Sequence, residues 1–145
     1  MKTLVSILLL SYLMFAPILA AGADRVPSTS KSAIVENLIA GISSDNEGLK
    51  TSAAMVMTEV IDNAIASPDD FSPSLFPLLT MLDNGRTETE RIVAAVALYS
   101  LNDGIGIYRL RGSARFDNSE RVRMISKNLY YSFHTLHHSQ YFLDF

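Results

Sequence analysis

From Lys31 onward the chain carries apolar residues at helical spacing almost without interruption, and no stretch of any length alternates as a half-buried strand would. That pattern confines the fold to packed helices. Ala33, Ile34, Leu38, Ile39 and Ile42 form one stripe, which stops near Ser43-Ser44. Asp45 or Asn46 then offers a side-chain oxygen to the orphan amides of a second helix, whose stripe is Leu49, Ala53, Val56, Met57, Val60 and Ile61. Ser67-Pro68-Asp69-Asp70 is a break. Ser72-Pro73 starts a third helix with Leu75, Phe76, Leu78, Leu79 and Leu82, and Asn84-Gly85 ends it. Thr87 with Glu90 reads as a capping box for a fourth helix through Ile92, Val93, Val96, Ala97 and Leu101. After the Asp103-Gly104 turn a fifth helix holds Ile105, Ile107, Tyr108, Leu110 and Ala114, ending at Phe116. Asn118 caps a sixth with Val122, Ile125, Leu129, Tyr130 and Phe133.

The first residues set an expected address. Lys2, an apolar run from Leu4 to Leu19 and the small residues Ala21-Gly22-Ala23 before Asp24 follow the order of a secretory signal peptide. Cleavage is expected after Ala23, with Ala21 as the other site, giving a signal at residues 1–23, a polar leader at 24–30 and one helical domain at 31–145. The uncleaved alternative is a membrane anchor, for which the run is short. The expected location is periplasmic or secreted, with no membrane span after cleavage. An exported chain with no cysteine has no disulfide framework and no thiolate zinc site, so its apolar core must hold it.

Charge is unevenly placed. From Asp24 to Tyr108 acidic residues outnumber basic ones by about seven, and from Arg109 onward basic residues are in excess by about three. Net-acidic composition and few lysines argue against nucleic acid as a partner. The tail Tyr141-Phe142-Leu143-Asp144-Phe145 is rich in aromatic groups. One such segment falls far short of the strands a membrane barrel needs, and packing across the end of the last helix is expected instead.

The helices pair into three hairpins that look alike. Their second helices open with Asp45-Asn46-Glu47-Gly48-Leu49-Lys50, Thr87-Glu88-Thr89-Glu90-Arg91-Ile92 and Asp117-Asn118-Ser119-Glu120-Arg121-Val122-Arg123, and alanines follow in the first two. Lys50, Arg91 and Arg123 hold comparable places, about 41 and about 32 residues apart, the size of a two-helix unit. In these features the chain resembles the HEAT-repeat family over roughly Ile34 to Phe133. The resemblance implies an all-α, short α-solenoid of three antiparallel helix hairpins. The alternative is an irregular six-helix bundle. The third unit departs most, with Ile125, Ser126 and Lys127 in place of alanines, as a terminal repeat does.

Motifs for chemistry are few. His134, His137 and His138 have the spacing to share a helix face, but a stable zinc site wants further protein ligands and the chain has no other histidine. They are weak metal candidates, and no cofactor is expected. No nucleophile elbow, phosphate loop or dinucleotide fingerprint occurs, and catalysis is not expected. Arg91, Arg121 and Arg123 are expected to pair with carboxylates of neighbouring units such as Asp45, Asp83 or Asp117. Arg109, Arg111 and Arg115 are expected to form a face for an acidic partner, with Arg111 and Arg115 on one helix side and Arg109 off it. Met55, Met57, Met81 and Met124, with Tyr99, Tyr108, Tyr130 and Tyr131, are expected in or near the core. The function these features favour is an exported, non-catalytic interaction or scaffold module. Three units offer little surface, so it would serve as an accessory subunit or form a homo-oligomer. The alternative is a periplasmic metal- or ligand-binding protein using the histidines.

Overall fold

The computed structural model describes residues 28–137; the signal segment, most of the leader, His138 and the tail Tyr141–Phe145 lie outside the described residues. Those residues form six α-helices and one 3-10 segment, with no strand among them. The helices are α1 (Ser28–Ile42), α2 (Glu47–Asp62), α3 (Leu75–Asn84), α4 (Glu88–Leu101), α5 (Gly104–Phe116) and α6 (Glu120–His137), and the 3-10 segment is Pro68–Ser74. The protein is all-α. None of these helices is long and apolar enough to cross a membrane.

Side-chain caps set the helix starts. Asn46 accepts the amide of Leu49, Asp103 accepts those of Ile105 and Gly106, and Thr87 accepts that of Glu90. These contacts satisfy amides that have no partner inside the first turn. Two caps differ from expectation. Glu90 does not close a box onto Thr87; its carboxylate accepts the amide of Arg86, 3.0 Å away, one residue further back. At α6 the capping oxygen is that of Ser119, which accepts the Val122 amide, while Asp117 accepts the Ser119 amide. Asn118 does not cap.

The break at Ser67-Pro68 is itself structured. Ser67 and Asp70 form a reciprocal capping box at the start of the 3-10 segment, so α3 begins at Leu75 rather than at Pro73. Lys31 of α1 reaches Asp70 at 2.7 Å and ties the first helix to this segment. The segment also buries Phe71 completely, a core residue that the helical stripes omit.

Consecutive helices pack as pairs, α1 on α2, α3 on α4 and α5 on α6, and the short links turn each pair back on itself. Across the pairs the second helices meet most closely, α2 on α4 and α4 on α6, whereas the first helices touch more sparingly. The second helices therefore make one continuous layer. The core lies between the layers and is built from Met57, Leu78, Met81, Leu82, Leu98 and Leu110 among others. Val35 is buried in α1 while Ile34 faces outward, which rotates that stripe by one residue from its expected setting. Met55, Met124, Tyr108 and Tyr131 are exposed, so only Met57 and Met81 of the methionines considered are buried, with Tyr99 and Tyr130 packed against the core's edge.

At the α1–α2 contact a Cβ added to Gly41 would lie 2.7 Å from the Cβ of Ala53, closer than two carbons approach. Gly41→Val is expected to destabilise the fold by roughly 1–3 kcal/mol through overpacking. Gly112 of α5 has nothing near its missing side chain, so Gly112→Ala is expected to raise stability by up to about 1 kcal/mol. Thermal unfolding followed by circular dichroism checks both signs.

The hydrogen bond from Lys31, then that from the Ser67 amide, hold the Asp70 carboxyl below its ordinary value of 3.8. Because the folded value is the lower one, the contribution of Asp70 to stability is present above about pH 4 and is lost as pH falls through the folded value. An NMR titration of Asp70 should give a midpoint below 3.8, and Lys31→Ala should move it upward.

Candidate functional site

The cations of the described residues fall into two sets. In the first, each has a partner, and most partners belong to the neighbouring helix pair. Lys50 of α2 lies 3.8 Å from the buried Glu90 of α4, Arg86 reaches Glu47 at 2.9 Å, and Arg121 of α6 reaches Glu88 of α4 at 3.4 Å. Arg91 is the most enclosed. It grips both carboxylate oxygens of Asp117 at 2.9 and 3.1 Å and donates a third hydrogen bond to the carbonyl of Gly85. Its side chain and that of Asp117 are only 16% and 8% exposed. A Cβ on Gly85 would meet Arg91 Cγ at 2.9 Å and the Met81 carbonyl at 2.5 Å, so glycine leaves room for the stem of Arg91 and the end of α3. Arg123 donates to the carbonyls of Asp117 and Asn118 and finds no carboxylate.

Arg109 belongs to this set. Its guanidinium holds Asp83 of α3 through a two-pronged contact, with Nε 2.9 and 3.0 Å from the two oxygens. The hydrogen bond and the charge of Asp83 raise the guanidinium pKa above its ordinary value, which keeps it charged at any working pH. The expected three-arginine face therefore loses Arg109, which is held against α3.

The second set is Arg111, Arg115 and Lys127. None has a hydrogen bond or an ion pair among the described residues. All three line one cleft between α5 and α6, with Ala114, Tyr130 and Tyr131 as its other walls. Arg111 and Arg115 are one turn apart on α5, and Lys127 faces them from α6. Among the described residues no carboxylate lines the cleft. Lys127 and the two tyrosines were not legible as site residues. Their signal was there at spacings of three and four, which share a helix face, but which neighbour that face meets depends on the fold.

His134 is half-buried with its ring 4.4 Å from that of Tyr130, edge to face, and 5.7 Å from that of Phe133. The side chain of His137 and all of His138 lie outside the described residues. Among the described residues no group of three metal-ligating side chains converges.

A different surface runs over the layer of second helices. Between α2 and α4 an almost wholly apolar groove is lined by Met55, Thr58, Ile92, Val93 and Val96, with the carboxylate of Glu59 as its one charge. Tyr131, Leu136 and Met124 are exposed apolar side chains of α6.

Comparison of the chain with protein-family models, with curated proteins and with solved structures finds no match.

The buried Arg91–Asp117 pair and the exposed Arg109–Asp83 pair should differ in worth. Arg91→Ala strands an enclosed carboxylate and is expected to cost roughly 3 kcal/mol. Arg109→Ala, whose partner water can solvate, is expected to cost about 1 kcal/mol or less. Urea unfolding of the two variants beside the parent checks the ranking, and an equal or larger cost for Arg109→Ala overturns it.

Proposed function

We propose that this chain is an exported, non-catalytic repeat protein of HEAT type that docks another protein on its layer of second helices. The signal-like N-terminus supports export, and the recurrence of paired helices with cross-unit ion pairs supports the repeat reading. The observation that carries the docking reading is the apolar groove between α2 and α4, where Met55 stands 52% exposed beside Ile92, Val93 and Val96. Exposed apolar side chains gathered on one face mark binding surfaces more often than scattered ones do, and methionines adapt to a partner's contour. Glu59 at the rim and the acidic excess of the first four helices select a partner segment that is apolar on one side and basic on its flank. A helix laid into the groove meets both requirements.

The rival reading, a metal or ligand carrier built on His134, His137 and His138, has less behind it, since His134 is engaged with aromatic rings.

Site-specific photocrosslinking in the native host tests the docking reading. A crosslinking residue at Met55 should give one discrete adduct with another exported protein. The same residue at Phe76, exposed on the opposite layer, should give none. No adduct at position 55, or the same adducts from both positions, refutes the groove as a docking surface.

A further inference from the structure

We infer that the cleft between α5 and α6 binds the phosphoryl group of a small phosphomonoester through Arg111, Arg115 and Lys127. This goes beyond the docking reading and uses none of the residues of the α2–α4 groove. The argument begins with what each cation does. Lys31, Lys50, Arg86, Arg91, Arg109 and Arg121 all have carboxylate partners, and Arg123 has backbone carbonyls. The three that have no partner among the described residues are the three that share this one cleft. Carboxylates are in excess over the chain as a whole, so the lack of a counterion here is local and not a shortage.

Like charges one turn apart on a helix repel, by a few tenths of a kcal/mol in isolated helices. Arg111 and Arg115 stand at that spacing, and Lys127 adds a third positive charge from the facing helix. Tyr130 and Tyr131 give the cleft an aromatic wall on one side. The cleft has a volume of about 260 Å³, just below the ordinary small-molecule range of roughly 300–1,000 Å³. That suits a small anion with a compact carrier.

The donor set favours phosphoryl over carboxylate. Guanidinium forks match pairs of phosphoryl oxygens, and an ammonium adds a point charge from a different direction. A phosphomonoester carries three terminal oxygens and a charge of about −1.5 to −2 at neutral pH, enough to engage donors from both walls. A carboxylate has two oxygens in one plane and a single charge. Tyr130 and Tyr131, with ring centroids 5.8 Å apart and edge to face, leave an aromatic wall for the ester's carrier.

Calorimetric titration of the full chain with phenyl phosphate tests the inference. One saturable site is expected, weakened at least about tenfold in Arg111→Ala/Arg115→Ala/Lys127→Ala, since each charged hydrogen bond lost is worth about that much. Arg109→Ala should leave the affinity unchanged, and benzoate should bind at least about tenfold more weakly than phenyl phosphate. The three residues are exposed and have no partner among the described residues, and circular dichroism checks that the variant is folded. Flotation with phosphatidic-acid vesicles, absent with phosphatidylcholine and lost in the triple variant, identifies the phosphoryl source as a lipid headgroup. Phenyl phosphate binding without flotation identifies a soluble ester. No saturable binding, equal affinity for benzoate, or full affinity in the folded triple variant overturns the inference.

Discussion

The packing of α4 is the constraint on which the rest of the structure depends. This helix touches α2, α3, α5 and α6, so it must present a close-packed surface in nearly every direction. Ala94, Ala95, Ala97 and Leu98 answer that requirement, each fully buried. Small side chains let neighbouring helices approach, and a dense interior leaves little slack for anything larger. Gly106 makes the matching concession on α5, where a Cβ would sit 3.2 Å from Leu98. With α4 held by four neighbours, the second helices form a layer, and the polar ends of the helix pairs are brought within reach of one another.

That proximity explains the ion pairs. Arg91 and Asp117 are separated by 26 residues, as are Arg109 and Asp83. Each pair joins one helix hairpin to the next. The two differ in setting: Arg91 is enclosed between the start of α4 and the α5–α6 link, whereas Arg109 and Asp83 meet in water's reach. Enclosed, fully hydrogen-bonded charges tolerate no vacancy. The Arg91–Asp117 pair fixes the start of α4 against the α5–α6 link, and Gly85 leaves room for the Arg91 stem.

The helices themselves were legible because apolar spacing and caps are local. Asp45 or Asn46, and Thr87, could be assigned from their neighbours, and the structure places the capping bonds at Asn46 and Thr87; Asp103, legible only as a turn, caps α5. What was not legible depends on partners distant in sequence. Val35 rather than Ile34 turns inward because of what α1 packs upon, and Phe71 enters the core from a 3-10 segment that has no helical stripe to reveal it. Asn118 yields to Ser119 as the cap because Asp117, held by Arg91, already fixes the turn through the Ser119 amide. Met55 and Met124 lie beside buried stripes, and a one-dimensional pattern cannot tell the edge of a core from an exposed face.

The arginine face illustrates the same division at the candidate site. Successive helical residues turn by about 100°, so residues two apart point in nearly opposite directions. Arg109 and Arg111 stand in that relation on α5, a helix that has α3 on one side and α6 on the other. Arg109 therefore meets Asp83, while Arg111, with Arg115 a turn further on, meets α6. The facing stretch of α6 presents Lys127, Tyr130 and Tyr131 and no acid. Spacing alone separates Arg109 from the other two; only the identity of the neighbouring helices decides which of them is neutralised. The charge left over at the end of the chain is thus a consequence of which helix follows α5, and it is concentrated where the last two helices leave room for an anion.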